Sequence, residues 1–517
     1  MSSSASVPAS QTIDGPRSES DVLIVGSGSA GAVLASRLSE NSARQVLLLE
    51  AGPSYLPDAY PPLIASRDLL GANGDPAHEW GYKTEPGHVR HAIAAIRGKV
   101  LGGSSAVNGA VALRARPEDF ARWRLPGWGY DDLLPAFKRL ESRAGAGSDN
   151  ELHGSAGPLP VVQLTRADIT PMQSAFIDAT RSQGYAEISD FDGAQAHGVG
   201  PYAMNVVDGV RVNTGMSYLS AEVRARSNLR IRAQCLVDVV LFYGKRAVGV
   251  RLANGETHFA REVILSAGSY GSAAILLRSG VGPARDLLAL NIPVVADLPV
   301  GQQLVDHPFF YNAYAAKPEA IGSQSPVIGA KLWTRSTTAA AGELDLHITA
   351  THLFPHEQSP TGVGLVLAVA LTRPQSCGRL WLASRDPGEA PRIDLNFLAE
   401  QQDRQRLLEG VRLARRIGQT TPLAELIHSE LNPGPAALTD EEVLASITST
   451  LDTYHHPTST IPMGRADQAM AVVDLETRIR GLQGLRVVDA SIFPDVPSVA
   501  TNITTIAFAE HAAARFA

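Results

Sequence analysis

Residues 21–52 read DVLIVGSGSAGAVLASRLSENSARQVLLLEAG, and this stretch decides the fold. The apolar run Val22 to Val25 predicts a buried parallel strand, which breaks into a glycine-rich turn. Apolar residues at helical spacing follow from Ala32 to Leu38, and a second apolar run, Val46 to Leu49, ends at Glu50. Strand, turn, helix, second strand and terminal acid together indicate a dinucleotide-binding βαβ unit.

Each glycine of the turn has its own role in that unit. Gly26 permits the tight turn, Gly28 lets the backbone approach a pyrophosphate, and Gly31 allows the helix to pack closely on the strand. The first N–H groups of the helix favour phosphates, and Glu50 can accept hydrogen bonds from ribose hydroxyls. A glycine-rich turn without a ligand is the alternative, but the surrounding elements favour a nucleotide site.

Length, composition and charge exclude several classes of protein. A chain of 517 residues predicts two or three domains, and 44% hydrophobic with 19% charged residues is typical of a globular protein. The formal net charge of −7 argues against a nucleic-acid partner and gives no reason to expect a membrane partner. Cys235 and Cys377 are interpreted as buried hydrophobic residues rather than a disulfide.

The N-terminal segment carries no predicted targeting signal. Residues 1–20 are polar and serine-rich without an apolar core, which predicts a disordered tail rather than a signal peptide. No apolar stretch approaches the ~20 residues that span a bilayer. We therefore expect a reduced, cytoplasmic location.

A second glycine-rich stretch, Arg97 to Gly109, reads RGKVLGGSSAVNG. It follows a Pro- and Gly-rich loop, from Ala51 to about His91, which predicts a lid or a substrate-facing excursion. Small side chains and exposed N–H groups in the second stretch would suit a flat polar ring lying against the backbone. A plain connection between two elements is the alternative.

Together with a third segment, Gly268 to Gly282 (GSYGSAAILLRSGVG), these motifs resemble the glucose–methanol–choline (GMC) oxidoreductase family. The resemblance covers nearly the whole chain and includes Asp306-His307 and the segment Val487 to Ser491. It implies an α/β FAD-binding domain of Rossmann type and an α+β substrate domain built on an antiparallel sheet. The glycine-rich segments imply FAD rather than NAD, because the βαβ fingerprint alone does not distinguish them.

The family layout divides the chain into interleaved segments. These are a tail (1–20), FAD-domain segments 21–165, 205–310 and 450–517, and substrate-domain segments 166–204 and 311–449. Apolar and β-branched content predicts strands over 229–240, 247–252, 257–266, 309–316, 344–353, 364–372 and 378–383. The last four are expected to belong to the sheet of the substrate domain. Apolar spacing predicts helices over 403–418, 439–449 and 505–514.

The resemblance also assigns residues to the cofactor site. The implied FAD contacts are Gly26, Gly28, Ser29, Ala30, Gly31, Glu50, Ala51, Gly98, Val100, Gly102, Gly103, Ser104, Asn108, Gly109, Val237, Ala267, Gly268, Asp489, Ala490, Asn502, Ile503 and Thr504. In covalently flavinylated members a histidine stands where this chain has Val107, so we expect non-covalent FAD. Asn108 is the candidate for a polar contact to the flavin edge, with the capping of a local turn as its alternative.

The chemical centre is predicted near the C-terminus. Oxidation of an alcohol requires a base for the hydroxyl proton, and histidine has a suitable pKa. A neutral amide beside it can orient the hydroxyl and stabilise developing negative charge. The resemblance places these roles on His456, which precedes Pro457, and on Asn502. The adjacent His455 is assigned to the substrate pocket.

Two features of this region leave alternatives open. Each histidine could be structural, whereas a metal site is disfavoured because no ligand spacing fits zinc. Relatives usually read N-T-N-x-P-T, whereas this chain has ATNITT at 500–505, without the first Asn and without the Pro. Asn502 is expected just before the C-terminal helix, either near the flavin or as a simple N-cap.

The resemblance implies an FAD-dependent enzyme that transfers hydride from a CH–OH carbon to flavin N5. The pattern is most similar to bacterial aryl-alcohol and hydroxymethylfurfural oxidases and to pyridoxine oxidase, which favours an aromatic or heteroaromatic primary alcohol. A sugar or glycoside hydroxyl is the alternative substrate, and a hydroxynitrile lyase that retains FAD is the alternative of another class. The expected partners are a small alcohol and O2 or another electron acceptor. The sequence does not indicate the oligomeric state.

Overall fold

The computed structural model describes residues 19–144 and 151–516. The tail predicted for residues 1–20 lies outside these ranges, except for Glu19 and Ser20. Ser20 already belongs to the first strand, so the predicted boundary is one residue late. In the described ranges, no helix has both the length and the apolar character needed to cross a membrane.

The predicted βαβ unit is confirmed. Strand Ser20–Val25 leads into helix Gly31–Leu38 and then into strand Val46–Leu49, which lies parallel to the first strand. Gly26 has a φ of 91°, and a Cβ there would lie 2.6 Å from the Ser266 carbonyl oxygen. Only glycine therefore satisfies both the backbone conformation and the space at the turn.

These strands form the centre of a largely parallel sheet. Its order is Val237–Tyr243, Arg246–Leu252, Thr257–Leu265, Ser20–Val25, Val46–Leu49 and Leu229–Arg232, with Leu485–Val487 paired to Thr257–Leu265. The first three strands are joined antiparallel, and the other pairs are parallel. The sheet thus places the carboxyl ends of its parallel strands along one edge.

The single strand predicted over 229–240 is wrong, because the chain turns in its middle. Gln234 adopts a left-handed φ of 57°, and its N–H donates to the Gly52 carbonyl oxygen at 3.0 Å. The two halves, Leu229–Arg232 and Val237–Tyr243, consequently lie on opposite edges of the sheet.

A second sheet is antiparallel, as expected for the substrate domain. Its order is Ile427–Asn432, Pro308–Ala316, Gly364–Leu371, Leu346–Thr351, Ile328–Thr334 and Gly198–Pro201, with Asp452–Thr453 paired to Pro308–Ala316. The prediction that 378–383 belongs to this sheet is wrong. Arg379–Trp381 pairs instead with Arg392–Asp394, and the Leu380 N–H donates to the Gly301 carbonyl oxygen at 2.8 Å. The backbone of this short strand is therefore already paired away from the antiparallel sheet.

Shorter strands complete the sheet structure of the described residues. They are Glu141–Ala144, Leu159–Gln163 and Ala203–Met204 in one sheet, and the pairs Val206–Val207 with Val210–Arg211 and Val281–Gly282 with Ala296–Asp297.

Helices cover the faces of both sheets. Those described are Gly31–Leu38, Pro62–Ala65, Pro117–Trp123, Tyr130–Leu140, Pro171–Ser182, Thr214–Ser217, Ala221–Arg224, Gly268–Arg278, Ala284–Ala289, Pro318–Ile321, Gln401–Gly418, Leu423–Leu426, Asp440–Thr450 and Thr501–Arg515. Short 3₁₀ turns are Gly71–Gly74, Gly103–Ala106, His356–Gln358 and Ala490–Ile492. The helices predicted over 403–418 and 439–449 are confirmed. The residue boundaries of the interleaved domains stay a prediction.

Candidate active site

A cavity of about 1190 Å³ is lined by residues of both sheets. Val25 and Leu49, at the carboxyl ends of parallel strands, line one part, and Phe309 and His347 of the antiparallel sheet line another. Ligands of parallel sheets bind outside the carboxyl ends of the strands. The volume exceeds the ~300–1,000 Å³ of ordinary small-molecule sites. The cavity therefore has room for a cofactor and a substrate together.

Most residues predicted to contact FAD line this cavity, although they come from distant parts of the chain. They are Gly26, Gly28, Ser29, Ala30, Glu50, Ala51, Gly98, Gly103, Ser104, Asn108, Gly109, Val237, Ala267, Gly268, Asp489, Ala490 and Asn502. The fold therefore gathers them around one space. Contact between each of them and the cofactor stays a prediction.

Five residues of the same prediction are not part of the cavity lining. They are Gly31, Val100, Gly102, Ile503 and Thr504. A Cβ on Gly31 would lie 1.8 Å from the Gly26 carbonyl oxygen, so this glycine serves helix packing. Thr504 Oγ1 accepts a hydrogen bond from the Ala115 N–H at 3.0 Å. These residues support the segments that line the cavity.

Gly28 and Gly268 expose their backbone in the cavity wall, and we call these two glycines the glycine cradle. A Cβ on Gly268 would meet nothing within 4 Å, and one on Gly28 would meet only Gly103 Cα, at 3.7 Å. Helices Gly31–Leu38 and Gly268–Arg278 begin at these turns, and free N–H groups at helix starts favour phosphates. Small residues, open backbone and two helix starts fit FAD.

Glu50 is fixed at the end of its strand by the adjoining turns. Its Oε2 accepts a hydrogen bond from the Ser27 N–H at 3.0 Å, and its Oε1 accepts one from the Gly52 N–H at 2.8 Å. Burial raises the pKa of this carboxyl, and the hydrogen bonds oppose that rise. A carboxylate oxygen can accept more than one hydrogen bond. A ribose contact to Glu50 stays a prediction.

Val107 and Asn108 lie side by side in the wall. Val107 is buried and has no nucleophilic atom, so it offers no covalent link to a flavin. Asn108 Oδ1 accepts a hydrogen bond from the Ala110 N–H at 2.8 Å, so Asn108 does cap a local turn. Its Nδ2 remains as a donor that can serve a ligand.

His456 is held at the cavity wall by two hydrogen bonds. Its backbone N–H donates to Asp306 Oδ1 at 2.8 Å, and its Nδ1 lies 3.0 Å from Nδ1 of His307. Burial lowers the pKa of His456 well below its usual value, and the charges of neighbouring groups, including Arg97, lower it further. A neutral imidazole can accept a proton, so His456 has the state that a general base requires.

Asp306 positions both imidazoles through their main chains. Its Oδ1 also accepts a hydrogen bond from the His307 N–H at 2.7 Å, and its Oδ2 accepts one from Thr453 Oγ1 at 2.6 Å. Burial raises the pKa of Asp306 to about 6. One buried carboxyl group thus connects the two segments that carry the histidines.

His455 lines the cavity beside His456 and has a strained backbone. Its φ is 63°, in the left-handed region that few non-glycine residues adopt. The Arg97 guanidinium donates to its carbonyl oxygen at 2.6 Å. Burial lowers the pKa of His455 to about 3, with a further contribution from Arg97. Such strain is typical of functional sites, which supports a pocket role for His455.

Asn502 lies inside the first turn of helix Thr501–Arg515, so its expected place before the helix is wrong. The helix starts early because no proline interrupts residues 500–505. Asn502 Oδ1 accepts a hydrogen bond from Ser29 Oγ at 2.7 Å, which joins the C-terminal helix to the glycine-rich turn. The amide Nδ2 is then the group that can donate to a ligand.

Aromatic rings line the cavity near His456. Phe309 and Tyr454 stack with their centroids 4.3 Å apart and an interplanar angle of 8°, and Tyr454 lies 4.6 Å from the His456 ring. Tyr311 and Phe354 contribute further lining. We call this group, Phe309, Tyr311, Phe354 and Tyr454, the aromatic recess. It offers an apolar surface to a substrate.

Sequence reasoning assigned no role to three residues of this site. Arg97 and Asp306 contact the backbone of the two neighbouring histidines, and His307 contacts the imidazole of His456. The Asp306-His307 pair was visible as a family motif, but no local pattern shows what it touches. Among the described residues, no group of three or more His, Cys, Asp and Glu side chains is placed to hold a metal ion.

Comparisons with known proteins match this architecture. The GMC oxidoreductase N-terminal model matches residues 20–309, and the C-terminal model matches residues 374–509. An oxygen-dependent choline dehydrogenase of Pseudomonas fluorescens (strain Pf0-1) is 38% identical over 534 residues, which cover 95% of this chain and 92% of that protein.

Solved structures agree with this match. Pyridoxine 4-oxidase from Mesorbium loti has a TM-score of 0.88 at 31% identity, covering 96% of this chain and 99% of the other. Formate oxidase of Aspergillus oryzae RIB40, solved to examine the modification of its FAD, has a TM-score of 0.86 at 25% identity, covering 96% and 98%.

Proposed function

We propose a substrate class for this chain, which belongs to the GMC oxidoreductase family and is an FAD-dependent enzyme acting on CH–OH donors. It oxidises a primary alcohol on an aromatic or heteroaromatic ring. The observation that carries this proposal is one cavity lined by the glycine cradle, by the aromatic recess and by His456, whose partly buried ring has a lowered pKa and lies 4.6 Å from the Tyr454 ring. The product is the corresponding carbonyl compound.

His456 acts as the general base in this reaction. Bound FAD supplies the hydride acceptor. Since Nδ1 of His456 is engaged by His307, the alcohol proton passes to Nε2 while a hydride leaves the same carbon. The substrate thereby loses two electrons and two hydrogens, and the C–O single bond becomes a carbonyl.

Asn502 orients the substrate oxygen. Its Oδ1 is occupied by Ser29, so its Nδ2 donates to the hydroxyl and stabilises the negative charge that develops as the proton leaves. The start of the C-terminal helix adds partial positive charge at the same place.

The aromatic recess favours a flat ring as the substrate. Carboxylates that line the cavity already accept hydrogen bonds from the protein. Asp68 accepts from Ser325 and from the Val327 N–H, and Asp489 accepts from the Gly268 N–H and from Ser272. These hydrogen bonds fix the carboxylates in the wall, and the aromatic rings offer stacking to a flat substrate.

Choline is the second candidate substrate. The relative from Pseudomonas is named a choline dehydrogenase, and aromatic faces bind quaternary ammonium groups through cation–π attraction. A glycoside hydroxyl and the lyase reaction of a cyanohydrin are the remaining alternatives. A cytoplasmic location and O2 as the acceptor stay predictions.

The test is a substrate screen with the FAD-loaded enzyme. Benzyl alcohol, a furanic alcohol, pyridoxine, choline and a methyl glycoside are mixed with the enzyme without oxygen, and loss of the flavin absorbance is followed. We expect the aromatic alcohols to reduce the enzyme fastest. Faster reduction by choline or by the glycoside would overturn the substrate class, and cleavage of a cyanohydrin without flavin reduction by any alcohol would overturn the reaction class. Parallel assays for peroxide and for reduction of a dye identify the acceptor.

A further inference from the structure

The His307 and His456 imidazoles form a closed pair inside the protein. Their Nδ1 atoms lie 3.0 Å apart, and both rings are fixed at the backbone by the Asp306 carboxyl group. His307 is fully buried, with an exposed fraction of 0%. A distance of 3.0 Å between the two nitrogens is that of a direct hydrogen bond.

That contact requires one proton between two neutral rings. Burial lowers the pKa of His307 to about 3 and that of His456 well below its usual value, so neither ring carries a second proton near pH 7. If the shared proton sits on Nδ1 of His456, its Nε2 has a free lone pair. If it sits on Nδ1 of His307, then Nε2 of His456 is protonated and cannot act as a base.

The surroundings of His307 favour the first arrangement. The backbone groups of Pro497 and Thr372 interact with its ring and raise its pKa, against the larger effect of burial. Proline offers only a carbonyl acceptor, and acceptors beside a neutral imidazole favour a proton on the nitrogen that faces them. Nε2 of His307 is buried, and in the described ranges neither a donor nor an acceptor lies within hydrogen-bond geometry of it, so the two backbone groups attract its proton from beyond a regular hydrogen bond. A proton on Nε2 leaves Nδ1 of His307 as the acceptor.

We propose that His307 is a positioning residue that fixes the tautomer of His456: it accepts a hydrogen bond from Nδ1–H of His456 and so leaves Nε2 of His456 free toward the substrate. This inference rests on the proposed role of His456 as the base. When Nε2 takes the alcohol proton, the same hydrogen bond stabilises the imidazolium ring that forms. An orienting partner of this kind is a general requirement of histidine bases.

Other groups around His456 do not supply this function. Arg97, His455 and His347 act on it through charge, Tyr454 through ring contact, and Asp306 through its backbone N–H. Within the described part of the chain, the hydrogen bond that the His456 imidazole makes is the one to His307.

A direct test measures the tautomer in the FAD-bound enzyme. The protein is labelled with ¹⁵N-histidine, and the His456 signals are identified by their loss in His456→Gln. We expect a protonated Nδ1 and an unprotonated Nε2. The opposite tautomer would overturn the proposal, whether or not any alcohol is oxidised.

Two variants test the consequence for catalysis. Asn at position 307 keeps an acceptor oxygen near the place of Nδ1, whereas Leu has a similar size and no acceptor. In His307→Leu we expect the rate constant for alcohol-dependent FAD reduction to fall roughly 10- to 1,000-fold, by analogy with the loss of an orienting partner elsewhere, and in His307→Asn to stay within about tenfold of wild type.

The outcomes separate a positioning role from a purely structural one. Equal losses in both variants with FAD retained, or an unchanged rate in His307→Leu, would overturn the proposal. If a variant fails to fold or to retain FAD, the tautomer measured in the wild-type enzyme decides. If His456→Gln instead reduced FAD at the wild-type rate, His456 would not be the base. That result would mark a failure of the proposed function.

Discussion

The properties that suit His456 to the role of a base, a neutral ring and a fixed orientation, come from its neighbours. A solvent-exposed histidine has a pKa near 6.5 and rotates freely. Here the ring is partly buried, its Nδ1 is held by His307, and its backbone is held by Asp306. Its adjacent residue, His455, shares the cavity but is constrained at its carbonyl group instead.

Replacing His456 with Ala should lower the rate constant for FAD reduction by roughly 100-fold or more, as is typical when a positioned base is lost. His455→Ala is the matched control and should cost less, because His455 lines the pocket without the imidazole pairing. Anaerobic stopped-flow absorbance measures both rates. A larger loss in His455→Ala would reverse the assignment.

The pH dependence of reduction should reflect the lowered pKa of His456. Because the folded-state pKa lies below 6.5, the base stays neutral between pH 6.5 and 8, and the rate constant should vary by only about twofold there. The rate should decline at lower pH, as protonation removes the lone pair. An inflection near pH 7 in stopped-flow reduction would contradict a neutral base with a lowered pKa.

Among the elements, the glycine-rich turn contains two glycines with different expected roles, Gly28 in cofactor binding and Gly31 in folding. A Cβ on Gly28 would make only an ordinary contact at 3.7 Å, whereas a Cβ on Gly31 would lie 1.8 Å from the Gly26 carbonyl oxygen. Gly28→Ala should therefore fold normally and bind FAD about tenfold or more weakly, a cost of ~1.4 kcal/mol.

The comparison variant for that experiment is Gly31→Ala, which should lower the stability of the apoprotein by ~1–3 kcal/mol or more because helix and strand are forced apart. FAD titration and thermal unfolding of the apoprotein measure the two effects. Tight FAD binding by Gly28→Ala would show that the backbone there does not approach the cofactor.

The C-terminal helix is tied to the βαβ unit at the end opposite Asn502. The Glu510 carboxylate is buried and accepts hydrogen bonds from Arg37, Arg139 and Tyr218. Glu510→Gln should lower the stability of the apoprotein by ~2–4 kcal/mol, because Arg37 loses its buried partner.

Glu40→Gln provides the control, since Glu40 pairs with the same Arg37 but its side chain is 52% exposed. Exposed pairs contribute little, so its melting temperature should stay close to wild type. Equal melting temperatures for the two variants would mean that Glu510 does not fasten the helix.

For the whole molecule, FAD should act as a link between distant segments. The cavity wall combines residues from Val25 to Thr505, and a ligand that binds only the folded state stabilises it by mass action. Adding FAD to the apoprotein at 100 times its Kd should contribute ~2.7 kcal/mol and raise the melting temperature. The binding should be reversible because Val107 offers no covalent link.

ADP is the control ligand for that measurement, because it reaches only the fingerprint end of the cavity. At the same concentration it should raise the melting temperature less than FAD does. An equal rise would indicate that the flavin end contributes nothing to the stability of the fold.

The sequence by itself determined the elements whose signals are local. Glycine spacing and apolar runs specified the βαβ unit, because tight turns, strands and helices depend on neighbouring residues. Apolar periodicity also located the helices Gln401–Gly418 and Asp440–Thr450 to within two residues. Motifs singled out His456 and Asn502 as candidates, and their catalytic roles stay predictions.

Only the tertiary structure decided which distant groups meet. The His307–His456 contact joins residues 149 positions apart, and the Ser29–Asn502 hydrogen bond joins residues 473 positions apart. The turn at Gln234, which sends two half-strands to opposite edges, likewise depends on a hydrogen bond to Gly52. Local patterns do not encode such pairings, because the pairings arise when the two sheets bring separate chain segments to one cavity. Desolvation there strengthens each hydrogen bond and makes an unpaired polar group costly.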